Sequence, residues 1–134
     1  MDWKLLLREI KKDKNIVAVY LFGSQVKGNA DKKSDYDIAF LCKYPPKNEW
    51  NYISKFSCLF IKETLDIKIL NENALFFQFL VIETGKVLYC SNHRKRIEYE
   101  AHLISEYQDY KPYLDYYDKC MYKHIMEGSY GYGL

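Results

Sequence analysis

The sequence predicts a small α/β domain, a mixed β-sheet of four or five strands with helices packed on it. Two observations support this class: short strand-like apolar runs recur along the chain, and segments with helical spacing separate them. With 134 residues, 49% of them hydrophobic, the chain is long enough for one packed domain. We therefore interpret residues 1–134 as a single domain, with a core at about 15–90, a helical segment at about 92–127 and a flexible tail at 128–134.

Composition argues against several functional classes. The formal net charge of +2 lacks the basic excess of a general nucleic-acid binder. No apolar run approaches the ~20 residues of a membrane span, and the charged N-terminal segment is unlike a signal peptide. The four cysteines and three histidines form no zinc-binding spacing. We expect a cytoplasmic protein with reduced thiols and neither a direct nucleic-acid partner nor a membrane partner.

Helix and strand patterns alternate at the start of the chain. Apolar residues at helical spacing in residues 3–10 predict a first helix, with Asp2 placed to cap it. The run IVAVYLF, residues 16–22, predicts a buried strand that ends at Gly23. Residues 35–41 (DYDIAFL) predict a second strand, in which alternate side chains share a face.

The same alternation continues beyond the Pro-Pro break. Residues 50–60 predict a helix, and residues 64–70 (TLDIKIL) predict a third strand whose apolar side chains point away from its Asp and Lys. A strongly apolar helix at residues 74–83 leads into a short strand at residues 86–90. From residue 94 onward the pattern is helical.

The last helical segment carries an apolar and aromatic seam at heptad-like spacing. Its members are Leu103, Tyr107, Tyr110, Leu114, Tyr117 and Met121. We interpret the seam as intramolecular core, with a partner surface as the alternative because tyrosine is favoured at interfaces. Pro112 lies inside the segment and is expected to kink or split the helix.

Two carboxylates, Asp35 and Asp37, share one face of the second predicted strand, ~7 Å apart at their Cα atoms. Such a pair repels and raises the pKa of its members. Mg²⁺ offsets this repulsion well, since it is held by one or two carboxylates together with substrate phosphates. The Gly23–Ser24 turn offers backbone N–H groups and a hydroxyl for those phosphates. Taken singly, Gly23–Ser24 could be an ordinary turn, and Asp35 and Asp37 could lie on a solvated strand face. The two features together predict a metal–nucleotide site.

A third carboxylate would complete a two-metal site and help to activate an attacking hydroxyl. Asp66 is the best candidate, because it lies on the third predicted strand and faces away from that strand's apolar residues. Glu63 is the fallback, less favoured because it precedes the strand.

At this point the sequence resembles a known family. Gly23–Ser24, ten residues and then Asp35-x-Asp37 match the signature of the DNA polymerase β-like nucleotidyltransferases. The small size, the Asp in LDIKIL and the late stretch RKRIEYEAHLISEYQDYKPYLDYY resemble its minimal nucleotidyltransferase (MNT) branch. Members of that branch act as antitoxins paired with HEPN-domain ribonuclease toxins. The resemblance covers roughly residues 15–120.

The resemblance implies a role for each matching residue. Gly23 and Ser24 would bind the triphosphate of ATP, and Asp35 and Asp37 would bind two Mg²⁺ ions. Asp66 would bind the catalytic metal and receive the proton of the attacking hydroxyl. The fold implied is the polymerase β-like nucleotidyltransferase fold.

One position departs from the family pattern. Many relatives have an arginine directly after Gly-Ser, where this chain has Gln25. Lys27 or Lys33 would then contact the nucleotide phosphates, although a lysine lacks the two-pronged geometry of arginine. Solvated loop lysines are the plainer interpretation of both.

The resemblance implies an antitoxin that transfers AMP to a tyrosine of a cognate HEPN toxin, with which it would form a hetero-oligomer. Two alternatives stay open: a nucleotidyltransferase acting on a small molecule such as an aminoglycoside, and a non-catalytic antitoxin that neutralises its toxin by binding. Arg96 and His102 superficially fit an Arg-x4–6-His motif of HEPN ribonucleases, but we interpret them as polar residues of a surface helix.

Overall fold

The structure is a computed structural model that describes residues 2–23, 35–60 and 64–126. In chain order its elements are helix α1 (Trp3–Lys11), strand β1 (Ile16–Phe22), strand β2 (Tyr36–Cys42), helix α2 (Glu49–Ser57), strand β3 (Leu65–Ile69), a 3-10 helix (Leu70–Glu72), helix α3 (Leu75–Thr84), strand β4 (Lys86–Cys90) and helix α4 (His93–Met126).

The four strands form one mixed sheet in the order β3-β2-β1-β4. β1 is antiparallel to both β2 and β4, whereas β2 and β3 are parallel. Parallel neighbours need a crossover connection, and α2 supplies it. The predicted mixed α/β sheet is thereby confirmed, with four strands.

Helices cover both faces of the sheet because β1 and β2 are apolar on both sides. On one face, Ile38 and Phe40 pack in a cluster with side chains of α1 and α2. On the other face, Ala39 and Leu41 pack with Val81 of α3, and Tyr99 of α4 packs against that cluster. The two-residue alternation along β2 therefore gives each face its own core.

Most element boundaries agree with the sequence pattern. The predicted bounds of β1 and β4 coincide with the observed ones. The Asp2 side chain caps α1 by accepting a hydrogen bond from the Leu5 N–H at 3.1 Å. Helix α2 ends at Ser57, so Phe60 lies beyond it and packs against the core from the following segment. Strand β2 begins at Tyr36, one residue later than predicted.

Pro112 was predicted to kink or split the last helix, and α4 runs without interruption from His93 to Met126, so the split is wrong and the kink stays a prediction. Proline removes a single donor from the helical ladder. Pro112 is exposed, so solvent can reach the backbone around it. No helix in the described part of the chain has the length and apolar character required to span a membrane. The tail at 128–134 lies outside the described residues.

The aromatic seam of α4 divides into two parts. Leu103 is buried, and the Tyr107 ring stacks on Phe79 of α3 with centroids 3.8 Å apart. Farther along, Tyr110 and Tyr117 are 49% and 61% exposed. The core interpretation is therefore correct for the first half of the seam and wrong for these two tyrosines, which lie beyond the stacked pair.

Candidate active site

Strand β1 ends at Phe22, and Gly23 follows it directly. Its φ of 78° lies in the left-handed region, which glycine adopts without steric cost. A Cβ atom at this position would also overlap Oδ2 of Asp37. A side chain is excluded at Gly23 for both reasons, and the Asp37 carboxylate lies directly against this residue. Phosphate binding at this point stays a prediction.

The sheet register brings two aspartates from distant parts of the sequence together. Phe22, next to Gly23, pairs with Asp37 across the antiparallel β1–β2 ladder. Asp37 pairs with Asp66 across the parallel β2–β3 ladder. Paired residues on adjacent strands lie ~5 Å apart with side chains on the same face of the sheet. Gly23, Asp37 and Asp66 therefore lie side by side at the same end of three neighbouring strands, where β1 ends and β2 and β3 begin.

The electrostatics of Asp37 show how closely the carboxylates approach. Its pKa is raised above the ordinary 3.8, first by partial burial and then by the charge of Asp66 and a hydrogen bond with it. Asp35 raises the pKa of Asp37 as well, but by less than Asp66 does. The sequence emphasised the Asp35–Asp37 pair, whereas in the fold the stronger partner of Asp37 is Asp66.

Lys68 is a member of this group that the sequence argument did not assign. Its Nζ lies 3.6 Å from Oδ1 of Asp66, and both side chains are nearly half exposed. It also lowers the pKa of Asp37, but less than the causes that raise it. Since exposed pairs contribute about 0–1 kcal/mol, Lys68 offsets the carboxylate repulsion only in part. Its position two residues after Asp66 in a strand was the signal that places both on one face.

Asp35 precedes the first residue of β2 and is exposed. In residues 2–23, 35–60 and 64–126, no group of three or more His, Cys, Asp or Glu side chains is arranged to hold a metal ion. The convergence of Asp35, Asp37 and Asp66 on metal ions stays a prediction; the register shows that Asp37 and Asp66 are direct cross-strand neighbours.

The other residues assigned from the sequence lie outside the described part of the chain. They are Ser24, Gln25, Lys27, Lys33 and Glu63. Their contacts with phosphate stay predictions.

Comparison with known protein families shows which family this chain belongs to. The model of the family "Polymerase beta, Nucleotidyltransferase" matches residues 5–94, more than half of the chain. The chain belongs to this nucleotidyltransferase family. The matched range includes Gly23, Asp37 and Asp66, so the paired carboxylates and the glycine turn fall within the family's domain.

Solved structures with this nucleotidyltransferase fold include three toxin–antitoxin complexes. A toxin–antitoxin crystallised with AMP-PNP matches with a TM-score of 0.73 and 21% identity, over 94% of this chain and 99% of that chain. The tri-AMPylated Shewanella oneidensis HEPN toxin in complex with MNT antitoxin matches with a TM-score of 0.64 and 21% identity, over 92% and 98%. The toxin–antitoxin MntA–HepT matches with a TM-score of 0.63 and 22% identity, over 92% and 98%.

These similarities confirm the polymerase β-like fold over nearly the full length of both chains, including the long C-terminal helix. Comparison with curated proteins gave no significant match.

Proposed function

We propose that this nucleotidyltransferase is an antitoxin that transfers AMP from ATP to a tyrosine of a cognate HEPN ribonuclease toxin. The observation that carries the proposal is the pairing of Asp37 with Asp66 beside the Gly23 turn. The fold similarity to a toxin–antitoxin with AMP-PNP and to a complex of a tri-AMPylated HEPN toxin supports the choice of substrate and partner. The whole chain would act as one domain, in the cytoplasm, where ATP is available.

The reaction proposed is an in-line displacement at the α-phosphorus of ATP. The toxin's tyrosine oxygen forms a new bond to this phosphorus, the bond to the oxygen bridging to the β-phosphate breaks, and pyrophosphate leaves. Asp66, on the exposed edge of the site, would accept the phenolic proton. Gly23 leaves room for the triphosphate next to Asp37 because it has no side chain. The added negative charge on the toxin would block RNA cleavage.

The donor set fits Mg²⁺ as the metal of this reaction. Asp37 and Asp66 supply paired carboxylates whose repulsion is only partly offset by Lys68. Mg²⁺ commonly binds one or two carboxylates and completes its shell with substrate phosphates and water, so it does not need a ready-made protein cage. Asp37 and Asp66 would hold it, with Asp35 joining them when ATP is present. When bound, Mg²⁺ would lower the pKa of the attacking hydroxyl and neutralise charge on the leaving pyrophosphate.

The test is a transfer assay with ATP labelled on its α-phosphate, Mg²⁺ and the cognate HEPN toxin. We expect label on a toxin tyrosine with the wild-type chain, and a loss of at least about a hundredfold with Asp37→Asn or Asp66→Asn, because each removes a carboxylate from the reacting site. Asp109→Asn, on the exposed surface of α4, is the matched control and should transfer normally. Equal labelling by wild type and Asp37→Asn would overturn the proposal.

A second candidate function is neutralisation of the toxin by binding alone. It is favoured by Gln25, an uncharged residue at the position directly after Gly-Ser where many relatives have an arginine. The two functions separate in one measurement. A complex that still forms with Asp37→Asn and leaves the toxin unlabelled and inactive supports binding alone, whereas recovery of RNA cleavage with Asp37→Asn supports catalysis.

A further inference from the structure

A cavity lies at the far end of β1 and β2 from Gly23 and Asp37. Its volume is about 260 Å³, and its lining includes Val17, Leu41, Lys43, Lys95 and Tyr99. Val17 precedes Gly23 by six residues along an extended segment, which corresponds to ~20 Å. The cavity is therefore separate from the proposed active site, and neither the proposed transfer reaction nor its residues use it.

Two ammonium groups meet at this cavity. Lys43 follows β2 and Lys95 lies in the first turn of α4, and both exposed side chains line the cavity, where the charge of Lys43 acts on Lys95. Partial desolvation and this neighbouring charge lower the pKa of Lys95. The nearby Glu98 is already paired with Arg94 at 3.1 Å. In the described part of the chain neither lysine forms an ion pair with a carboxylate. The Nζ of Lys43 lies over the Tyr44 ring, 5.4 Å from its centroid, a contact that leaves the positive charge without a counter-charge.

The remaining walls are mainly apolar, with the amide of Asn71 among them, and the fold holds them in place. Val17 and Leu41 are sheet residues with exposed fractions of 6% and 4%. The Tyr99 hydroxyl donates a hydrogen bond to Oε1 of Gln78 at 2.7 Å, which fixes the aromatic ring beside them. The Asn71 side chain accepts a hydrogen bond from the Cys42 N–H at 2.9 Å and donates one to the Cys42 C=O at 2.7 Å. The floor is thus preorganised, and a ligand would order little besides the two lysines.

We propose that this cavity binds a small phosphate monoester. The phosphate would lie between Lys43 and Lys95, and the organic group would rest on Val17, Leu41 and the Tyr99 ring. A phosphate monoester is close to a dianion at pH 7 and so matches two cations. The volume is near the lower end for ligand pockets, which favours a small molecule over a polymer. This inference does not depend on AMP transfer.

The experiment is an NMR titration of the full chain with phenyl phosphate, which carries an aromatic group but no nucleotide. We expect the amide signals of Val17, Lys95 and Tyr99 to shift on titration. The double substitution Lys43→Gln with Lys95→Gln should weaken binding about tenfold or more, because each removes a charge-assisted contact. Lys43→Arg with Lys95→Arg should retain binding. Lys111→Gln with Lys119→Gln, at exposed positions of α4, is the matched control and should bind as the wild type does.

Further measurements separate this site from others. Asp37→Asn should leave phenyl phosphate binding unchanged, since its carboxylate lies at the other end of the sheet. Inorganic phosphate should bind several-fold more weakly than phenyl phosphate because it does not use the apolar floor. Equal affinity of both probes, or an unchanged affinity in the Lys43→Gln, Lys95→Gln variant, would overturn the proposal. A wild-type chain that does not bind phenyl phosphate would also overturn it. In that case, loss of a protein partner by the Lys43→Gln, Lys95→Gln variant would mean that the two lysines bind a protein.

Discussion

At the scale of single residues, the proposed site depends on a glycine and two aspartates that crowd one another. Gly23 has a left-handed backbone and a neighbouring carboxylate where a Cβ would be. Asp37 is partly buried and repelled by Asp66, and both causes raise its pKa. The side chains at this edge are therefore arranged at a cost to stability, as is common where a fold serves a function.

Substituting Gly23 with alanine should reduce both stability and transfer. The left-handed backbone alone should cost about 1–2 kcal/mol for a residue with a Cβ, and the new methyl group would displace the Asp37 carboxylate. Chemical denaturation and the labelled-ATP assay measure the two effects. Gly23→Asn tests the steric part, since asparagine tolerates a left-handed backbone better than alanine but also has a Cβ. Full transfer by Gly23→Asn would show that the close approach to Asp37 does not matter.

Replacing Asp37 with asparagine should stabilise the metal-free protein at neutral pH. Because its pKa is raised in the fold, Asp37 holds its proton more tightly when folded than when unfolded, and stability falls as pH rises through the raised pKa. The substitution removes that loss. We expect a higher free energy of unfolding for Asp37→Asn at pH 7 in the presence of a chelator.

The pH dependence provides the check. The difference between Asp37→Asn and wild type should shrink as pH falls below the ordinary carboxyl pKa of 3.8, because the wild-type group is then protonated in both the folded and the unfolded state. The control Asp109→Asn should show no comparable trend. If Asp37→Asn were less stable than the wild type at pH 7, and the stability difference did not change in acid, repulsion between Asp37 and Asp66 would be contradicted.

At the scale of elements, α4 makes two different kinds of surface. Its first half docks on the sheet and on α3 through Leu103 and through the Tyr107–Phe79 stack. Beyond Pro112 the helix continues with mostly exposed side chains, including Tyr113 at 73% and Tyr116 at 70%. One helix thus combines a packed segment with a segment that contributes little to the core.

Replacing a tyrosine by alanine should destabilise the protein in the first half of α4 and have little effect on stability in the second half. Tyr107→Ala removes a ring stacked on Phe79 and should lower the free energy of unfolding by about 1–3 kcal/mol. Tyr113→Ala removes an exposed ring of the same kind and should change stability by less than about 0.5 kcal/mol. Urea denaturation of both variants measures the difference. Similar losses in both would mean that the distal half of α4 also packs on the protein.

At the scale of the whole molecule, the sheet separates two sites of opposite charge. The carboxylates gather where β1 ends and β2 and β3 begin. Two lysines gather at the other end of β1 and β2, between the sheet and the start of α4. Both sites draw residues from distant parts of the sequence, so each exists only in the folded chain.

A chain that lacks residues 113–134 should still fold. The exposed character of α4 beyond Pro112 implies a loss of less than about 1 kcal/mol, which corresponds to a few degrees in the thermal midpoint. Thermal unfolding by circular dichroism measures it, and removal of residues 127–134 alone is the control for the end of the chain. Loss of cooperative unfolding in the longer deletion only would show that the distal half of α4 is part of the core.

Much of this fold and part of its site could be read from local pattern. Local pattern placed β1 and β4 at their observed bounds. Asp37 was singled out as one of two carboxylates that share a strand face near Gly23–Ser24, and Asp66 because it faces away from the apolar residues of its strand. Of the kink or split predicted at Pro112, the split is wrong, because a local preference was weighed without knowing how exposed the helix is there. The seam of α4 was assigned to the core along its full length because periodicity identifies a stripe but not how far its partner extends.

The sequence by itself determined the element order, the mixed α/β class and the acidic residues beside a glycine turn, because these follow from side-chain spacing along one segment. Tertiary structure decided that Asp66 is a stronger partner of Asp37 than Asp35 is, and that Lys43 meets Lys95. Both facts come from strand register and helix docking. These are set by the summed burial of two cores, and no single segment encodes them.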